Sequence, residues 1–208
     1  MTLPVLCIYD LWPPEEGYEL CQPIHKEDYE NIRLLVNGEL RRKTWKPIPM
    51  RIIKKDQGKK LLSSDSPWFG SDALVFKYQA VEAMTPLLQK HGELLPLLCK
   101  ETEVTMYNPT HVLEALDPEK AIIKYFPNSS DIMMVKHYSF REELVRDVDI
   151  FKLPGRASNT FVSQRFVDLW NASGLKGLRF RLIWSSDSTK GISEGDWPKN
   201  LTNPKKQA

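Results

Sequence analysis

The chain has 208 residues, 41% hydrophobic and 27% charged, a balance that supports one real core and excludes a disordered or fibrous polypeptide. A net charge of +2 excludes wholesale attraction to nucleic acid or to a membrane surface. No segment reaches the ~18 continuous apolar residues of a membrane helix.

The opening residues lack a basic n-region, and Asp10 interrupts their apolar run, so they do not fit a signal peptide and a cytoplasmic protein is expected. Cys7, Cys21 and Cys99 are an odd number without C-x-x-C spacing and read as reduced, packed thiols. Charge is unevenly placed: residues 1–30 hold seven acids against Lys26, and residues 31–60 hold ten cations against Glu39 and Asp56.

In chain order, an apolar run predicts a strand over 5–9, followed by a turn at Pro13-Pro14 and an acidic loop. Tyr29, Ile32, Leu35 and Val36 recur at helical spacing and predict a helix over 25–36 that stops at Asn37-Gly38. Two prolines between 46 and 50 leave at best a short edge strand at 51–54, and a soft boundary falls in the turn-rich stretch 56–68.

A strand is predicted over 73–77, then a helical stripe of Val81, Met84, Leu87 and Leu88, which Pro86 should kink or restart with Thr85 as cap before Gly92 ends it. Strands follow at 94–100 and 103–107, the second with Val104 and Met106 inward and Thr105 and Tyr107 outward. Asn108-Pro109 resembles a capped helix start, with Val112, Leu113 and Leu116 as its buried face.

Strands over 121–126 and 132–138 flank Pro127-Asn128-Ser129-Ser130, a hairpin loop by composition. Ser139 and Glu142 fit a capping box for a helix anchored by Leu144 and Val145. Residues 151–184 read as a strand, a loop, a short helix and a closing strand. Ser163 caps that helix, Phe166, Leu169 and Trp170 lie on one face, and Gly174 stops it. In the closing strand Leu178, Phe180 and Leu182 alternate with Arg179 and Arg181.

Fifteen prolines argue against a long-helix bundle. The expected fold class is α+β, a mixed, largely antiparallel sheet with several short helices. Residues 1–65 are expected to pack on or extend a main domain over 66–184, with a flexible tail at 185–208.

The chemistry-bearing residues assemble no known catalytic motif. His25, His91, His111 and His137 stand far apart, outside any H-E-x-x-H or C-x-x-C spacing, so neither metal nor cofactor is expected. Gly58-Lys59-Lys60 lacks the leading glycine and the Ser/Thr of a phosphate loop, and no G-x-S-x-G elbow occurs. Cys99 on an apolar strand reads as buried and inert. Arg41-Arg42-Lys43-Thr44-Trp45-Lys46 interleaves an aromatic with cations as nucleic-acid patches do, although a solvated loop with Trp45 packed back on the core is the stronger expectation.

Five blocks in order carry a resemblance: F-G-S-D-A-L-V-F at 69–76, G-E-L-L-P-L at 92–97, Y-N-P-T-H-V-L-E-A-L-D at 107–117, F-K-L-P at 151–154 and G-L-R-F at 177–180. Over roughly residues 66–184 the chain resembles immunity protein family eleven of bacterial polymorphic toxin systems. The resemblance implies a cytoplasmic, non-enzymatic antidote that binds and neutralises a cognate protein toxin used in competition between bacteria, with no catalytic residue to carry over.

Steric occlusion of the toxin is the expected mode. Trp12, Glu15, Glu16, Tyr18, Glu19, Trp68 and Phe69 are the expected partner contacts, because aromatics dominate interface hot spots and an acidic run complements a basic groove. A membrane is not an expected partner, nor is nucleic acid. The alternative is a nucleic-acid-binding or regulatory module acting through the basic segment 33–60.

Overall fold

The computed structural model describes residues 4–15, 17–29, 32, 37–70 and 73–190, with the backbone alone at 156–158. Within them the fold is α+β, with short helices set against small sheets that are antiparallel apart from one parallel pairing. The predicted tail beyond 190 and most of the predicted helix at 25–36 lie outside the described residues. Asp28, Tyr29 and Ile32 are helical there, and Ile32 is fully buried.

A four-stranded sheet runs in the order β12 (Ile150–Leu153), β13 (Arg156–Ser163), β1 (Cys7–Trp12), β14 (Arg179–Ser185). Strand β1 pairs antiparallel with both neighbours, Tyr9 opposite Val162 on one side and Leu182 on the other. The sheet is buried on both faces. Leu11, Ile150 and Val162 face one apolar cluster, while Ile8, Phe151 and Phe161 face another. Doubly buried strands lose the in/out alternation that marks a strand in sequence, which is why 156–163 reads as a loop there.

A second sheet joins β2 (Leu20–Pro23), β3 (Pro49–Ile53) and β8 (Leu98–Cys99), with β3 in the middle. Proline pointed to an edge at this segment. Pro49 is instead the first residue of the strand, where its missing N–H costs the ladder least. A lysine-rich hairpin, β4 (Lys55–Asp56) and β5 (Lys59–Lys60), follows.

The third sheet is β6 (Leu74–Lys77), β9 (Val104–Pro109), β7 (Gly92–Pro96). The single strand predicted over 94–100 is therefore two, β7 on β9 and β8 in parallel on β3. Strand β9 departs from its predicted alternation because Tyr107 is fully buried and its hydroxyl donates to the Leu88 carbonyl.

No helix starts at Asn108. Pairing continues to Gly92 opposite Pro109, the Asn108 amide donates to the Glu39 carbonyl at 2.7 Å, and residues 111–113 bridge to Lys152 of β12, leaving Val112 42% exposed.

Helix α1 (Tyr78–His91) is unbroken despite Pro86. Thr85 does not cap a restart; its hydroxyl donates to the Val81 carbonyl one turn back at 2.6 Å. Ala80, Met84, Leu88 and His91 form the buried face. The hairpin β10 (Ile122–Tyr125) and β11 (Ile132–His137) forms as expected, with Asn128 in the left-handed region at its turn.

Helix α2 (Glu142–Val145) starts too late for Ser139 to cap it, because Leu116 bridges Phe140 and holds this stretch extended. Helix α3 (Gln164–Ala172) does begin under Ser163, whose side chain accepts from the Phe166 N–H at 3.3 Å, and Phe166, Val167 and Trp170 are buried.

Candidate interaction surface

The residues nominated from sequence do not share one environment. Glu19 is buried, its carboxylate accepting from the Lys77 ammonium at 2.5 Å and from the Ser64 N–H at 3.2 Å. Trp68 packs against the cluster around Phe76 and Trp170, and Phe69 packs on the second sheet and stacks on Tyr29 with centroids 5.6 Å apart. Trp12 is half-buried, lies under the Arg181 guanidinium at 4.6 Å and donates to Asp10 at 3.1 Å. Glu15 is exposed and paired with Arg179. Glu16 lies outside the described residues.

Pro14, Glu15 and Tyr18 line a shallow groove of about 420 Å³ against residues 175–179. The acidic run is thus partly neutralised by the fold itself, Asp10 by Arg181, Glu15 by Arg179 and Glu19 by Lys77. In the basic segment, Trp45 packs back as expected and donates to the Pro96 carbonyl at 2.7 Å, while the Arg41 and Arg42 amides donate to Glu93.

Two histidines far apart in sequence meet at the end of α1. His91 and His111 bring their Nδ1 atoms within 2.9 Å, and His91 Nε2 lies 3.2 Å from the Asp149 carboxylate. Asp149 also accepts from Ser163 Oγ at 2.8 Å and Arg165 Nε at 2.6 Å. Burial opposes ionisation of Asp149, but its hydrogen bonds with His91, Ser163 and Arg165 outweigh it and hold the carboxyl well below its usual range.

The order of contacts is wrong for a nucleophile. Ser163 bonds the carboxylate and caps α3 instead of facing an imidazole, and His91 is 1% exposed. The cluster fastens the end of α1 to β12 and to the start of α3. Among the described residues no group of three or more His, Cys, Asp or Glu side chains is placed to hold a metal ion.

Cys21 is no better a nucleophile, since burial, with the neighbouring Cys99 and Glu101, pushes its thiol up to about 12. Cys99 is half-buried, and burial together with the hydrogen bond it donates to Glu101 raises its thiol too.

An open surface lies elsewhere, on β10–β11, a two-stranded sheet anchored in the core by the fully buried Val135. Ile122 (56%), Tyr125 (49%), Phe126 (49%) and Met133 (36%) are exposed on it. Tyr125 also lines a groove of about 540 Å³ with Ile123, Ile132, Leu116, Leu153 and Arg141.

The Arg141 guanidinium donates to the Glu114 carbonyl, and its Nε has no partner among the described residues. Large apolar side chains exposed beside a concave apolar surface are what interaction sites are commonly built from. The sequence pattern held a signal for it: an isolated hairpin whose strands are apolar on both faces cannot bury both by itself.

A model of an immunity protein family (Imm11) matches residues 104–184. The match is narrower than the resemblance over 66–184. It contains the blocks at 107–117, 151–154 and 177–180 and leaves out those at 69–76 and 92–97. No curated protein matches the chain. The exposed hairpin and every residue that lines the larger groove fall inside the matched segment. No helix among the described residues is long and apolar enough to cross a membrane.

Proposed function

We propose that this protein is a non-enzymatic immunity protein that binds a cognate toxin in the cytoplasm and blocks it by occupying the toxin's working surface. The observation that carries the reading is that the matched segment 104–184 holds both the exposed apolar side chains of β10–β11 and the larger groove beside them. Interface cores are built from such residues, and a toxin lethal at a few copies demands nanomolar affinity or tighter, about −12 kcal/mol.

The buried His91–Asp149–Ser163 cluster serves packing in this reading. The hairpin face is the primary contact, and Trp12, Glu15 and Tyr18 flank the smaller groove as secondary candidates. Co-expression tests it: the toxic C-terminal domain encoded in the neighbouring reading frame should arrest a sensitive host, and this protein should restore growth. Arrest that persists at full expression of both chains sinks the reading.

A second reading, phosphate binding through the basic segment, draws on the exposed Arg51, Lys54, Lys55, Lys59 and Lys60 around β4–β5. Salt separates the two. Affinity that falls steeply between 50 and 200 mM salt, by about 1,000-fold or more, would mark phosphate contacts. A packed apolar interface loses far less.

A further inference from the structure

We infer that the surface received by the β10–β11 hairpin and its groove is apolar and acidic: a segment of the partner that places apolar side chains on Tyr125, Phe126 and Met133 and a carboxylate on Arg141. The inference rests on the proposed function and adds the chemistry of the partner's contact.

Strands β10 and β11 carry Lys124 and Lys136, both exposed, and no acid, against one exposed acid, Asp131, in the turn that joins them. Arg141 brings a third cation to the wall of the groove. It is anchored through the Glu114 carbonyl, with no hydrogen-bonded carboxylate among the described residues. Among the residues lining the groove Arg141 is the one cation and Glu114, whose side chain is exposed, the one acid. Guanidinium recognises carboxylate in a fixed bidentate geometry, and desolvation by surrounding apolar side chains strengthens that contact.

The open edge of β10, paired only with β11 among the described residues, offers backbone groups to an extended segment as well. This chemistry is opposite to that expected from the acidic run at residues 10–30, which would call for a basic partner face.

The test uses the full chain and a catalytically silenced form of the toxic domain encoded next to it, with affinities from surface binding. Tyr125→Ser with Phe126→Ser should weaken binding by about 100-fold or more, and Arg141→Gln by about 10-fold or more. Lys124→Glu with Lys136→Glu should slow association and reduce its salt dependence. Glu82→Lys, on the exposed face of α1, should change affinity by less than about 3-fold.

Circular dichroism and thermal unfolding establish that each variant stays folded. Hydrogen exchange on the wild-type complex gives an independent readout, with protection expected over 122–135. No binding by the wild type overturns the function and this inference together. Full affinity in the hairpin variants, or protection confined to residues 14–18 and 175–179, overturns the inference and leaves the function standing.

Discussion

Glu19 and Lys77 form an ion pair whose side chains are 9% and 13% exposed. Removing one partner strands the other, so Glu19→Ala or Lys77→Ala should destabilise the protein by about 3–5 kcal/mol in urea unfolding, whereas Glu19→Leu with Lys77→Leu should cost less than either single change. A Glu19→Ala protein as stable as wild type would refute the structural role.

The histidine cluster gives a pH dependence with a definite sign. Burial and the nearby charges of His91 and Lys90 lower the His111 pKa, so the unfolded chain binds that proton more readily than the folded one. Stability present above about pH 6.5 is therefore lost as pH falls below it. His111→Gln should flatten this limb of a stability-against-pH curve. The depressed Asp149 adds stability above the unfolded carboxylate range near 3.9, lost on further acidification.

None of these pairings was legible in sequence. Glu19 meets Lys77 across 58 positions and His91 meets Asp149 across 58, and an acid beside two others reads as surface until its distant partner is known.

Local signals decided the elements they could decide. Helix α3, its Ser163 cap and the closing strand β14 follow from spacing alone, as do the hairpin β10–β11 and strand β6. Tertiary pairing overrode the rest. Asn108-Pro109 has the residue types of a helix start, but β7 extends β9 through Pro109, and Ser139 has those of a cap, but Phe140 is drawn into a bridge with Leu116.

Gly92 shows how tight the junction of α1, β7 and β9 is. Its backbone is extended, so no special torsion requires glycine, yet a Cβ there would lie 2.4 Å from the Asn108 carbonyl oxygen and 2.7 Å from the Tyr107 ring. Gly92→Ala should cost about 1–3 kcal/mol by overpacking, read as a lower midpoint in denaturant. An unchanged midpoint would mean that the junction yields.

The strands of the matched segment pair with strands outside it. Among the described residues its strands β13 and β14 are joined in the sheet through β1, from the other end of the chain, and β9 lies between β6 and β7, which precede the segment. Residues 104–184 expressed alone should give the poorly dispersed amide spectrum of a collapsed chain, and adding residues 1–103 should restore a folded one. A well-dispersed spectrum from the segment alone would contradict the topology.

The exposed surface of the hairpin was less legible in sequence than the core, because exposure of Tyr125 and Phe126 depends on what packs beside the hairpin and not on their spacing.

Action by contact alone has a stoichiometry. Titrating this protein into a fixed amount of the active toxic domain, well above the dissociation constant, should lower residual toxin activity linearly to zero at one equivalent, with activity recovered when the complex is separated under denaturing conditions. Inactivation of many toxin molecules by one copy of this protein, or a toxin left covalently altered, would show bond-making chemistry and contradict it.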